Sequence, residues 1–145
     1  MGLSKRYLDT NTEAVRFSKE ILADCLQEKL PGVVFAYLLG SSAAEQQVKP
    51  YSDLDIALYL SGKRDISLLS TVQEICEECV GPVRCDVGFL NSAEPVYRFE
   101  ALKGSLLFTR DMETWLRFYS VTCREYESQM FHYEKQRRYR LEAYR

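Results

Sequence analysis

The sequence predicts an α/β (α+β) fold: a small mixed sheet with helices packed on one face and a long C-terminal helix. Three observations carry that expectation. Two short apolar runs, Val33 to Leu39 and Leu54 to Leu60, read as strands, and the first is broken sharply by Gly40-Ser41-Ser42. Apolar residues recur at near-helical spacing before and after them. The order of elements, helix, strand, loop, strand, helix, strand, helix, short strand and long helix, is that of one mixed layer of strands covered by helices.

Each element follows from its residues. Asn11 or Thr12 can cap a first helix, with Glu13 in its first turn. Val15, Phe17, Ile21, Leu22, Cys25, Leu26 and Leu30 then supply its apolar face, and Pro31-Gly32 stops it. Ala43 to Tyr51 is small and polar with Pro50 near its end, a loop with room for one helical turn. In the strand from Leu54 to Leu60, Leu54, Ile56, Leu58 and Leu60 share one face, so Asp53 and Asp55 point together to the other. The spacing predicts a helix from about Asp65 to Val80, burying Ile66, Leu68, Leu69, Val72, Ile75, Cys76 and Cys79.

Gly81-Pro82 ends that helix, and Val83 to Leu90 forms a third strand. Ser92 can cap a short helix that tolerates Pro95 in its first turn and closes at Leu102. Leu106 to Thr109 is a short extended piece. From Asp111 to about Ala143 the chain reads as helical, with Met112, Trp115, Leu116, Tyr119, Val121 and Met130 among its apolar residues. Trp115 is expected to pack this helix onto the sheet. A length of 145 residues gives room for one domain, 1–145, with about 111–145 as its C-terminal helical segment.

Composition narrows the function. A hydrophobic share of 46% with 28% charged residues is that of a soluble globular protein. The formal net charge of -2 gives no support to a general nucleic-acid binder, so no direct nucleic-acid binding is expected. No apolar run reaches the roughly 20 residues that span a bilayer, and Met1 to Asp9 has no apolar core of a secretion signal. We therefore expect a cytoplasmic protein without a membrane partner. Five cysteines, an odd number, fit a reducing compartment. Cys76 and Cys79 have C-x-x-C spacing, but His132 is the only histidine and no second such pair exists, so both are expected simply to pack.

The chemistry-bearing residues are carboxylates. Asp53 and Asp55 sit one residue apart at the entry of a strand, and two like charges so close repel. A hard divalent cation removes that repulsion, and Mg²⁺ is typically held by one or two carboxylates plus substrate phosphate oxygens. Asp86, flanked by Cys85 and Val87, is the natural third ligand if its strand neighbours Leu54–Leu60; pairing with Arg84 or Arg98 is the alternative. The Gly40-Ser41 turn follows a buried strand, where Gly permits close approach of a phosphate and Ser supplies a hydroxyl.

The stretch Leu38-Leu39-Gly40-Ser41-Ser42-Ala43, continued by Ser52-Asp53-Leu54-Asp55-Ile56, resembles the G-S-x(10)-D-x-D signature of the polymerase β-like nucleotidyltransferases. Eleven residues separate Ser41 from Asp53 here, and Glu45 stands where the family usually has a second Gly. The short length resembles the minimal nucleotidyltransferase (MNT) proteins, antitoxin partners of HEPN-domain toxins. Lys103-Gly104-Ser105-Leu106-Leu107-Phe108-Thr109-Arg110-Asp111 is similar to the stretch that leads into the last helix of such proteins.

The resemblance implies that Gly40, Ser41 and Ser52 take the nucleotide, ATP, while Asp53, Asp55 and Asp86 hold two Mg²⁺ ions and carry catalysis. It further implies transfer of AMP to a tyrosine of a HEPN toxin. Two other readings stay open: an MNT fold that neutralises its partner by binding alone, and transfer to a small hydroxylated molecule. The run Lys135-Gln136-Arg137-Arg138-Tyr139-Arg140, with Tyr144 and Arg145, reads as a solvated helix end, partner docking being the competitor.

Overall fold

A computed structural model of the protein describes residues 13–143. The first pairing is a two-residue clip, β1 (Val15–Arg16) antiparallel to β3 (Gln47–Val48). Helix α1 spans Lys19–Lys29, so it starts later than the apolar spacing suggested: Val15 and Phe17 lie ahead of it. Ser18 is its cap, with its side-chain oxygen accepting from the Ile21 N–H. The caps expected at Asn11 or Thr12 lie outside the described residues.

Strand β2 (Val33–Leu38) leads through the Gly40 turn into α2 (Ser41–Glu45), the helical turn for which the loop had room. Strand β4 (Leu54–Leu60) runs over the predicted residues. Helix α3 (Leu68–Cys79) begins three residues after the predicted start. Ile66, 98% exposed, falls outside it, and Leu69 faces solvent within it. Strand β5 is Cys85–Phe89, and α4 (Pro95–Lys103) has Pro95 in its first turn with Glu94, rather than Ser92, at the cap. Strand β6 is Ser105–Thr109, and α5 (Met112–Ala143) is one continuous helix.

The four-stranded sheet has the order β5-β4-β2-β6. Only β4 and β5 are parallel, joined by the α3 crossover that a parallel pair requires; β2 is antiparallel to both of its neighbours. Leu22 and Leu26 of α1, with Val72, Ile75 and Cys76 of α3, cover the face that carries Leu54, Ile56 and Leu58. Burial of Leu22 and Leu26, both at 0% exposure, contributes about 1.5–3 kcal/mol each.

The mixed class is as the sequence predicted, but the second face is not bare. Ala101 of α4 and Phe118 of α5 pack there with Phe35, Tyr37, Ala57 and Leu90. The apolar face of α5 therefore runs through Trp115, Phe118 and Thr122, while Met112, Leu116 and Tyr119 look outward. Trp115 fixes the helix to the sheet as expected, its indole N–H donating to the Tyr37 hydroxyl at 2.6 Å. Every residue from Phe131 to Ala143 is exposed. No helix among the described residues is long and apolar enough to cross a membrane.

Two devices close the sheet. Arg110, at the end of β6, reaches back to the carbonyls of Val33, Gln27 and Leu30, taking up the last carbonyls of α1. Asp111 then caps α5: its carboxylate accepts from the N–H groups of Glu113 and Thr114 and from the Thr114 hydroxyl. The Arg-Asp pair thus joins two helix ends across one sheet edge.

The cysteines pack in pairs across elements. Cys25 on α1 meets Cys79 on α3, and Cys76 meets Cys85 at the entry of β5, both in sulfur–sulfur contact. Their Cα separations of 7.2 and 7.0 Å exceed the roughly 4.4–6.8 Å of ordinary disulfides, so bridging either pair requires the backbone to close in. Cys76 and Cys79 do pack on a helix, as the sequence suggested, each against a cysteine the sequence did not pair with it.

Candidate active site

The site forms where the parallel pair enters the sheet. Asp55 of β4 lies directly opposite Asp86 of β5, and Asp53 stands just ahead of β4. Residues 55 and 57 alternate with Leu54, Ile56 and Leu58, so Asp55 shares the face of Ala57, away from the α1/α3 core. Asp53 and Asp86 are exposed, and Asp55 is half-buried. Asp86 therefore sits on a strand without being taken out of water. Among the described residues the three carboxylates make no ion pair and no hydrogen bond with protein groups. Arg98, the alternative partner for Asp86, instead bonds the Leu90 and Asn91 carbonyls and Glu125.

Electrostatics reports the same crowding. Burial, then the charges of Asp86 and Asp53, hold the Asp55 carboxyl above its ordinary range. Among the described residues no three acid, His or Cys side chains close into a ready metal cage. The donor set, three oxygen carboxylates on adjoining backbone segments, is the hard one that Mg²⁺ takes.

Gly40 closes the other side. It holds φ +72° and ψ -164°, a conformation restricted almost wholly to glycine, and a Cβ there would stand 3.3 Å from the Asp55 Oδ2. The Gly40-Ser41 turn thus lies against the Asp55 carboxylate, with Ser41 exposed and Ser42 buried. The Leu39 N–H donates to the Asp55 carbonyl at 2.9 Å, which locks the turn to β4. Ser52 precedes Asp53 in a tight turn, its N–H bonded to the Lys49 carbonyl at 3.1 Å. Glu45 forms an ion pair with Lys49 at 3.8 Å on the surface of the loop.

Three further residues shape this end of the sheet and were not singled out from the sequence. Gln73 of α3 grips the entry of β5 on both sides of Arg84: its amide donates to the Val83 carbonyl and its oxygen accepts the Cys85 N–H, both at 2.8 Å. That bond sits one residue ahead of Asp86. Lys19 ties α1 to the Ala43 carbonyl and the Ser105 hydroxyl. Tyr97 of α4 lies over Gly88, and burial together with Asp86 and Asp55 pushes its phenol up. A glycine inside a strand two residues after Asp86 was the one signal for it, since such a glycine marks a close approach. A shallow hollow of about 450 Å³ between α4 and α5, beside His132 and Tyr133, holds none of the aspartates.

A mixed sheet whose parallel strands bring carboxylates together behind a glycine turn defines the nucleotidyltransferase class of fold. A family model described as "Polymerase beta, Nucleotidyltransferase" matches residues 20–113, and the chain belongs to that family. Among solved structures it is similar to a mutant of the toxin–antitoxin MntA-HpeT, with 18% identity over 87% of this chain and 97% of that one, at a TM-score of 0.64. A toxin–antitoxin with AMP-PNP is similar at 19% identity, 87% and 97% coverage and a TM-score of 0.62. So is a chain from tri-AMPylated Shewanella oneidensis HEPN toxin in complex with MNT antitoxin, at 17% identity, 86% and 97% coverage and a TM-score of 0.57. These likenesses show a shared fold. No curated protein sequence matches the chain.

Proposed function

We propose that the protein is an Mg²⁺-dependent nucleotidyltransferase that moves AMP from ATP to a tyrosine of a HEPN-domain toxin, and so acts as its antitoxin. The observation that carries this reading is the Asp55–Asp86 opposition in the parallel pair, with the Gly40 turn pressed against Asp55. The similar chain from the complex of MNT antitoxin with a tri-AMPylated HEPN toxin supports the choice of acceptor and partner.

In this reading Asp53, Asp55 and Asp86 are both the metal ligands and the catalytic residues. Gly40 lets backbone approach the triphosphate, and Ser41 and Ser52 offer hydroxyls to it. Held by these carboxylates, cations would neutralise the triphosphate charge and stabilise the leaving pyrophosphate. The acceptor's phenolic oxygen bonds to the α-phosphorus, the bond from that phosphorus to the bridging oxygen breaks, and the phenolic proton passes to solvent. The chain's own share is to hold the carboxylates and the turn in register.

The test is incubation of the protein with ATP labelled on the α-phosphate, Mg²⁺ and a HEPN protein encoded beside it. Label on the HEPN protein, lost in Asp53→Ala/Asp55→Ala, is the expected result. A tight complex that carries no label and is unchanged in the variant overturns catalysis.

A further inference from the structure

The Tyr97 phenol lies over Gly88, two residues along β5 from Asp86. Tyr97 and Ala101 lie one helical turn apart on α4, and Ala101, at 0% exposure, sets that face of the helix against the sheet. The rotation of α4 is fixed on its other sides. Phe99 stacks on Tyr126 with centroids 3.8 Å apart, and the Arg98 guanidinium donates to the Leu90 carbonyl. Tyr97 has little freedom in where it points.

It points onto β5 at Gly88. A Cβ at that position would overlap the Tyr97 hydroxyl oxygen and stand 2.6 Å from its Cζ and 3.0 Å from its Cε1. The phenol therefore rests on the strand where only glycine leaves space. Residues 86 and 88 are on one face of β5, about 6.6 Å apart along the strand, within the combined reach of a carboxylate and a hydroxyl. Asp86 and Asp55 both act on the phenol electrostatically.

Among the described residues the Tyr97 hydroxyl makes no hydrogen bond. Tyr37, on the same face of the sheet, shows the contrast: its hydroxyl accepts from Trp115. A ring that served only to fill space would need no hydroxyl, and this one lies over Gly88, on the face of β5 that carries Asp86 two residues earlier.

We propose that Tyr97 is a positioning residue: its hydroxyl, lying over Gly88 two residues from Asp86, takes up the Asp86 carboxylate when a divalent cation is bound and holds the Asp55–Asp86 pair in the spacing the cation requires. The inference rests on the metal reading given under the proposed function. It concerns what steadies the ligands, the place that outer hydrogen-bond partners occupy in metal sites.

Binding of Mn²⁺ to the full chain without nucleotide, followed by electron paramagnetic resonance, reads this directly. We expect wild type to bind, Asp55→Asn to lose binding, and Tyr97→Phe to bind about tenfold more weakly at an unchanged melting temperature. Gly88→Ala is expected to weaken binding to the same extent, because its methyl group expels the phenol. The double variant should be no weaker than either single one, since both act through one hydroxyl. Tyr133→Phe, a surface change on α5, serves as the control and should leave binding unaltered.

Wild-type affinity in Tyr97→Phe overturns the proposal, as does a fully additive double variant. If Gly88→Ala fails to fold, Tyr97→Phe alone decides. Absence of Mn²⁺ binding in wild type overturns the metal reading itself, and this inference with it.

Discussion

Replacing Asp55 by Asn removes one of three mutually repelling charges while nearly preserving shape. Adjacent strands stand about 4.8 Å apart, and Asp55 directly faces Asp86. Two unit charges about 5 Å apart repel by about 0.8 kcal/mol in water and about 3 kcal/mol at an effective dielectric of 20. Asp53 and Asp86 are exposed, so screening favours the lower figure. Without metal at pH 7, Asp55→Asn should stabilise the protein by about 1 kcal/mol. For a chain of 145 residues that corresponds to a rise in Tm of about 3 °C.

The pH dependence has a definite sign. The folded-state pKa of Asp55 is raised, so the wild-type penalty is absent below the ordinary value of 3.8 and grows as pH rises through the folded pKa. The advantage of the Asn variant is therefore present at pH 7 and gone below about pH 3.8. Melting curves from pH 3 to 8 in a chelator measure it, and Mg²⁺ should reverse the order by stabilising wild type alone. A variant less stable than wild type at pH 7 without metal, or a difference indifferent to pH, refutes the reasoning.

Gly40→Ala should lower stability by about 1–3 kcal/mol through backbone strain and reduce nucleotidyl transfer, because the new methyl group meets Asp55; denaturant titration and the labelled-ATP assay measure the two effects. A Cβ at Gly104 would overlap the Leu38 carbonyl oxygen and stand 3.1 Å from the Ala101 carbonyl oxygen, so Gly104→Ala should destabilise by about 3 kcal/mol in the same titration. Arg110→Ala frees three carbonyls at the junction of α1 and β2, and a loss of about 1–2 kcal/mol is expected, with hydrogen exchange increasing first at the end of α1. Gln73→Leu should slow transfer more than it lowers Tm, since it releases the strand entry beside Asp86; unchanged rates would show that the clamp is irrelevant to the site.

Much of this was legible because it depends on period and punctuation. The alternation in Leu54–Leu60 put Asp53 and Asp55 off the core face, and the Gly40 break placed a turn where one exists. What escaped has a common physical cause: it depends on partners distant in the chain. The β1–β3 clip is two residues long on each side, too short for any alternation, and it withdrew Val15 and Phe17 from a helix that their spacing suited. In α5 the apolar residues are distributed around the helix, so only the packed partners Phe35 and Tyr59 select Phe118 over Leu116 and Tyr119. Tyr97 and Gln73 gain meaning from Gly88 and from the carbonyl of Val83, contacts that spacing does not encode.

The single parallel pairing in an otherwise antiparallel sheet has a further consequence. Parallel strands start at the same edge, so one slip would carry every residue of β5 past its partner. A slip of one residue in the β4–β5 ladder would move Asp86 to the opposite side of β5 while leaving Asp55 in place. The loops between Ser61 and Arg84 can absorb a change of length, but the Gln73 bonds to Val83 and Cys85 fix where β5 begins. Those two bonds work as a gauge, as much a part of the site as any carboxylate.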